Sequence, residues 1–187
     1  MKQLPILHYL VAIAVVTIVI LLVYATVQQS YRTNANDPQI QIAEDLGAYL
    51  QAGKQLETIC HADTIDIGQS LSPVVTFYDG HGNPVKSTGF MDGKMCRLPA
   101  GLFDQARREG IHSVTWQPRP GVRMALVLLH VKSSNVEFVA AARSLREVEV
   151  REYSLRKMII LAWILCIAFI LVLAGIQFSK YTTQATV

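Results

Sequence analysis

The sequence predicts an α+β protein: a five-stranded antiparallel sheet with long N-terminal and C-terminal helices, flanked by two transmembrane helices. Three observations carry this reading. Two apolar runs, residues 6–27 and 158–178, stand near the two ends of a 187-residue chain. Between them lie short β-prone runs bounded by Gly, Pro, Asn and Ser, the pattern of strands and turns. Helical spacing of apolar residues returns on either side of those strands. Half of all residues are apolar (51%), high for a soluble chain, and the excess is concentrated in the two end runs.

The first run, ILHYLVAIAVVTIVILLVYATV, contains only His8 and two tyrosines as ionisable side chains. It exceeds the roughly 7 to 15 residues of a signal-peptide core, and YATVQQ is a poor cleavage site, so it reads as an uncleaved signal anchor. VQQSYRT continues the helix and NANDP interrupts it. Asn36 or Asp37 caps a new helix there, with Pro38 at the first position, where its missing N–H is harmless. That helix places Ile42, Leu46, Tyr49 or Leu50, Gly53 and Leu56 on one face. CHADTIDIGQSLSP is a loop. VVTFYD and PVKSTGF are two strands of a hairpin around GHGN, and MDGKMCRLP is again loop. PAGLFDQARREG is a short amphipathic helix that starts near Pro99 and stops at Gly110. HSVTWQP, VRMALVLLHV and NVEFVAAARS are three strands separated by the turns PRPG and KSSN. VRMALVLLHV is apolar nearly throughout and is expected at the centre of the sheet.

The exit helix starts in LREVEVREYSLRK and passes without Gly or Pro into MIILAWILCIAFILVLAGIQF. This second run has no charged residue and is long enough for about 30 Å of hydrocarbon. Leu145, Val148, Glu152, Leu155 and Ile159 recur at helical spacing, a stripe that packs either on a partner helix or on its own domain. Tyr9, Tyr24, Trp163 and Tyr181 are candidate interfacial anchors. The expected divisions are therefore a tail (1–5), a first span (6–27), a domain with juxtamembrane helices (28–157), a second span (158–178) and a tail (179–187).

Arg32, Arg143, Arg146, Arg151, Arg156 and Lys157 flank the membrane on the domain side, against Lys2 and Lys180 on the tails. A naive positive-inside count would put the domain in the cytoplasm, but long domains are translocated largely regardless of charge. The net charge of +3 identifies no partner class, and the mixture of signs in the middle segment excludes a nucleic-acid surface. Cys166 lies within the second span. Cys60 and Cys96 either pair, closing a loop for about 3 to 4 kcal/mol in the chain-entropy model, or remain two buried thiols. Cys60, His61, Asp63 and Asp66, with His81, His112 and His130 elsewhere, lack the paired spacing of a zinc site, so no metal and no cofactor is expected. No nucleophile elbow, phosphate loop or HExxH is present, so an enzyme is not expected.

In their order of elements, residues 31–150 resemble the extracytoplasmic PAS-like sensor modules called Cache or PDC-type domains. The chain is also similar in text to a group of bacterial membrane proteins, some of them sensor histidine kinases, through YRTNANDPQIQIAED, VVTFYDGHGNPVKSTGFMDGK, VTWQPRPGVRMA and AARSLREVE. The resemblance implies a PAS-like sheet in a bacterial inner-membrane protein, with both termini cytoplasmic and the domain periplasmic. It departs from kinases after Phe178, where only SKYTTQATV follows, so no output domain is expected. A pocket of this type would lie between a sheet face and the connecting loop and helix, and its candidate ligand-binding residues are Tyr78, Trp116, Arg123 and Arg143. An arginine can grip a carboxylate bidentately while an aromatic wall covers its apolar part. Against that stands a plainer assignment: Trp116 as core, Arg119 and Arg123 as solvated turn charges, and Arg143 paired with Glu147 one helical turn on.

Two functions remain open on the sequence. One is a sensor of a small-molecule ligand or a partner, relaying through its transmembrane helices as a homodimer or to a separate signalling protein. The other is a non-enzymatic accessory or structural protein whose PAS-like domain docks onto an envelope membrane protein.

Overall fold

Both long apolar patterns become helices, and the alternating stretches between them become two sheets. The computed structural model describes residues 4–56, 65–132 and 135–185. Its helices are α1 (Leu4–Gln51), α2 (Ala100–Glu109) and α3 (Arg146–Ala185). α1 and α3 are each long and apolar enough to cross a membrane. The described chain divides into two units, one of Met1–Tyr31 with Val150–Val187 and one of Arg32–Glu149.

In the first unit, α1 and α3 run antiparallel and are joined by polar contacts. The Tyr9 hydroxyl donates to the Gln177 side-chain carbonyl, Trp163 Nε1 donates to Thr17 Oγ1 (3.1 Å), and Gln28 Nε2 donates to Glu152 Oε1 (2.8 Å). Thr17 also donates back to the Ile13 carbonyl at 2.8 Å, so its hydroxyl is satisfied both ways within an apolar segment. Along α3 the stripe of Leu145, Val148, Glu152, Leu155 and Ile159 is half-buried at all five positions, in the phase its spacing predicts.

The second unit is built on a five-stranded antiparallel sheet in the order β3-β2-β8-β7-β6. These strands are β2 (Val74–Tyr78), β3 (Pro84–Ser87), β6 (Ile111–Arg119), β7 (Val122–His130) and β8 (Phe138–Ser144). A smaller sheet joins β1 (Ile65–Asp66), β4 (Gly89–Met91) and β5 (Lys94–Met95). Alternation along the strands makes two cores. On one face Val74, Tyr78, Met124, Leu126, Leu128, Phe138, Ala140 and Ala142 pack with Phe103 and Ala106 of α2. On the other, Phe77, Val127, Val139 and Ala141 pack with Ala43 and Leu50 of α1. Gly47 lets helix and sheet approach closely there, since a Cβ would stand 2.7 Å from Leu129 Cδ2. Gln39, two turns earlier, is fully buried, and among the described residues neither its amide nitrogen nor its oxygen has a hydrogen-bond partner.

Several expectations are corrected. α1 continues through NANDP with Pro38 inside it, rather than stopping for a new cap. An interior proline costs about 3 kcal/mol, but helix on both sides is already fixed, by the apolar run before it and by the buried positions Ala43, Gly47 and Leu50 after it. On that face Leu50 is buried and Tyr49 is exposed. Gly53 does not extend the face but ends the helix at φ +75°, with Lys54 N bonding the Tyr49 carbonyl and Gly53 N the Leu50 carbonyl, a Schellman closure. PVKSTGF is not one strand: its first half pairs with β2 and its second half leaves for the small sheet. MDGKMCRLP is not loop throughout, because Met91 pairs with Lys94 and Phe90 with Met95 across Asp92 and Gly93. The centre of the main sheet is β8 rather than VRMALVLLHV (β7), which lies beside it. β8 carries small Ala140, Ala141 and Ala142, buried on both faces, and so fits between two packed layers. The proposed Cys60–Cys96 pair lies outside the described residues because Cys60 does, as do His61 and Asp63.

Candidate functional site

β6 is an edge strand, and its far end is irregular. Trp116 pairs with Met124 and Arg119 with Val122, with a shift in register between them. Pro118 falls in that shift, on an edge strand, where sheets tolerate proline. Opposite stands the β4–β5 hairpin, whose turn residues Asp92 and Gly93 have φ of +51° and +73°, the left-handed pair of a tight two-residue turn. Between them opens a groove of about 670 Å³ lined by Met91, Lys94, Met95, Arg97, Pro99 and Trp116, with Asp92, Cys96, Leu98, Gln117 and Pro118 completing it. Its size lies within the usual range for small-molecule sites.

Behind the groove, Cys96, Leu98 and Trp116 also wall an inner cavity beneath the sheet, closed by Thr76, Tyr78, Leu126 and Ala140. Its volume is about 20 Å³. That is the space of a single water-sized sphere and excludes an organic ligand. The Tyr78 hydroxyl donates to the Cys96 carbonyl at 2.8 Å and ties the segment after β5 to the sheet. Burial, with a smaller contribution from Cys96, pushes the Tyr78 phenol far above the ordinary tyrosine range, so it is a neutral donor. Burial and then Asp92 raise the Cys96 thiol as well, which keeps it protonated and a poor nucleophile.

The electrostatics of the rim are one-sided. Asp92 is engaged by Arg119 Nη1 at 3.4 Å, whereas Lys94 and Arg97 have no anionic partner among the described residues. Both are exposed.

Of the four residues expected to form a site, the structure brings two together. Tyr78 and Trp116 lie on the α2 face and both wall the inner cavity. Arg123 and Arg143 fall at odd positions of β7 and β8, on the α1 face, where they meet the start of α3. Arg123 Nη1 donates to Glu149 Oε1 at 2.6 Å and Arg143 Nη2 stands 3.6 Å from Glu147 Oε2. Arg146 adds a bond from Nη2 to the Gly68 carbonyl (2.9 Å), and Leu145 N bonds the Arg123 carbonyl (2.8 Å). The first turn of α3 is thus clasped by groups from β7, β8 and the loop after β1. Arg97 lies in the loop that the sequence predicts, whereas Lys94 is on β5, and the Asp92-Gly93 pair between alternating residues is the signal for that hairpin.

Compared with protein-family models, curated proteins and solved structures, the chain matches none.

Proposed function

We propose that the chain is a membrane-anchored, extracytoplasmic sensor with a PAS-like domain of the Cache type, which takes a small-molecule ligand in the groove beside Trp116. The observation that carries this is the connection from groove to exit helix. Trp116 is the cross-strand partner of Met124, and its neighbour Arg123 holds α3 through both its carbonyl and its guanidinium. An exposed ion pair of this kind contributes about 0.2–1 kcal/mol, so the clasp is weak enough for a ligand to change. A ligand biases it only by binding one arrangement of β6, β7 and α3 better than another. The state of α3 then passes to a second copy or to a separate signalling protein in a bacterial inner membrane.

The small inner cavity favours a second reading, an accessory protein whose ligand-free domain docks on an envelope membrane protein. The two separate in thermal unfolding of the full chain in nanodiscs against amino acids, carboxylates and divalent metals. A ligand at a hundredfold its dissociation constant stabilises by about 2.7 kcal/mol, a shift of several degrees for a domain of this size. Such a shift supports the sensor; a folded domain that nothing shifts supports the accessory reading and contradicts the first.

A further inference from the structure

The groove has a chemistry that narrows its ligand, and the inference rests on the sensor reading above. We propose that it binds a small organic anion with a flat apolar body, the anionic group held by Lys94 and Arg97 and the body covered by Trp116 and Met95. Four of its linings, Met91, Met95, Pro99 and Trp116, offer carbon and sulfur surface. Lys94 and Arg97, neither with an anionic partner among the described residues, stand three residues apart at the same groove, and the one acid among its described linings, Asp92, is ion-paired with Arg119 at 3.4 Å. Among the described residues a divalent cation would find no carboxylate there outside that ion pair. An inorganic anion would leave the aromatic wall unused, and a neutral apolar ligand would leave the cations unused. Arg97 offers a planar fork suited to a carboxylate or phosphate, and Lys94 offers a mobile point charge. An aromatic or branched body lies against the Trp116 ring with dispersion and quadrupole complementarity.

The chain contains two tryptophans, Trp116 and Trp163, so Trp163→Phe leaves the groove residue as the only indole. The test is a fluorescence titration of that full-length variant in phosphatidylcholine nanodiscs, whose zwitterionic lipid adds no net charge. Probes are benzoate and phenylphosphate, with inorganic phosphate and benzyl alcohol as the charge-only and body-only comparators. The expected result is a saturable change with the two aryl anions at millimolar concentration, weakened by added salt. Lys94→Gln with Arg97→Gln should weaken it by about tenfold or more, the loss of one to two charge-assisted bonds. Arg108→Gln, at the far end of α2, should leave it unchanged. Equal responses to benzyl alcohol, indifference to the Lys94 and Arg97 changes, or no saturable response would overturn the assignment. If another class in the thermal panel stabilises the protein while the aryl anions do not, this ligand class is wrong and the sensor reading stands. If nothing in either assay binds, both fall.

Discussion

Gly89 shows how little room one residue can have. A Cβ built on it would lie 2.8 Å from Val74 Cβ and 2.9 Å from Ile67 Cγ2, atoms of stiff β-branched side chains that cannot swing away. Gly89→Ala is therefore expected to lower stability by about 1–3 kcal/mol, the range for overpacking. An unchanged melting temperature would contradict it. Gln39 is the opposite case, a buried amide with neither atom bonded among the described residues. Gln39→Leu should stabilise by about 1–3 kcal/mol, the penalty of an unsatisfied buried polar group. A lower melting temperature would mean that the amide has a partner in solution. Tyr78 makes a pH prediction. Its folded pKa is raised, so its contribution is fully present below the unfolded value near 10 and is lost as pH rises above it. Tyr78→Phe should flatten the alkaline limb of stability above about pH 10, and cost about 1 kcal/mol at neutral pH through the lost bond to Cys96. An alkaline limb as steep as in the unsubstituted protein would count against the buried, neutral phenol.

Elements were legible where one local rule decided them. α2 sits where Pro99 and Gly110 bracket it. β2, β6, β7 and β8 fall on the alternating or apolar runs, and α3 follows its stripe. Elements were misread where two rules competed. At NANDP a strong local breaker lost to the cooperativity of helix already formed on both sides. At Met91 to Lys94 the turn signal stands almost alone, because strands of only 2 or 3 residues leave little periodicity to detect. The site divided for a related reason. Arg123, Arg143, Tyr78 and Trp116 each suit a ligand by residue type, but strand parity sends the arginines to one face and the aromatics to the other. That division follows from strand pairing, which a single sequence does not state. The α1–α3 pairing is testable at the same scale. Within an apolar segment the Trp163–Thr17 bond is worth about 0.6 kcal/mol by comparison with other membrane hydrogen bonds. A double-mutant cycle of Trp163→Phe and Thr17→Val in bicelles should return a coupling near that value, and zero coupling would contradict the contact.

At the scale of the molecule, the sheet domain clasps the first turn of its exit helix. α3 begins with hydrogen bonds from Arg123 and Arg146 and an ion pair from Arg143, contacts that a small rearrangement can break. The claim on which the account turns is that occupancy of the groove is felt at that clasp. Hydrogen exchange of the full chain in nanodiscs tests it most directly, with and without whichever compound raises the melting temperature. The account predicts that the compound changes protection at residues 145–153 as well as at the β4–β5 hairpin. A compound that stabilises the domain and protects the hairpin, yet leaves exchange at residues 145–153 unaltered, would contradict it.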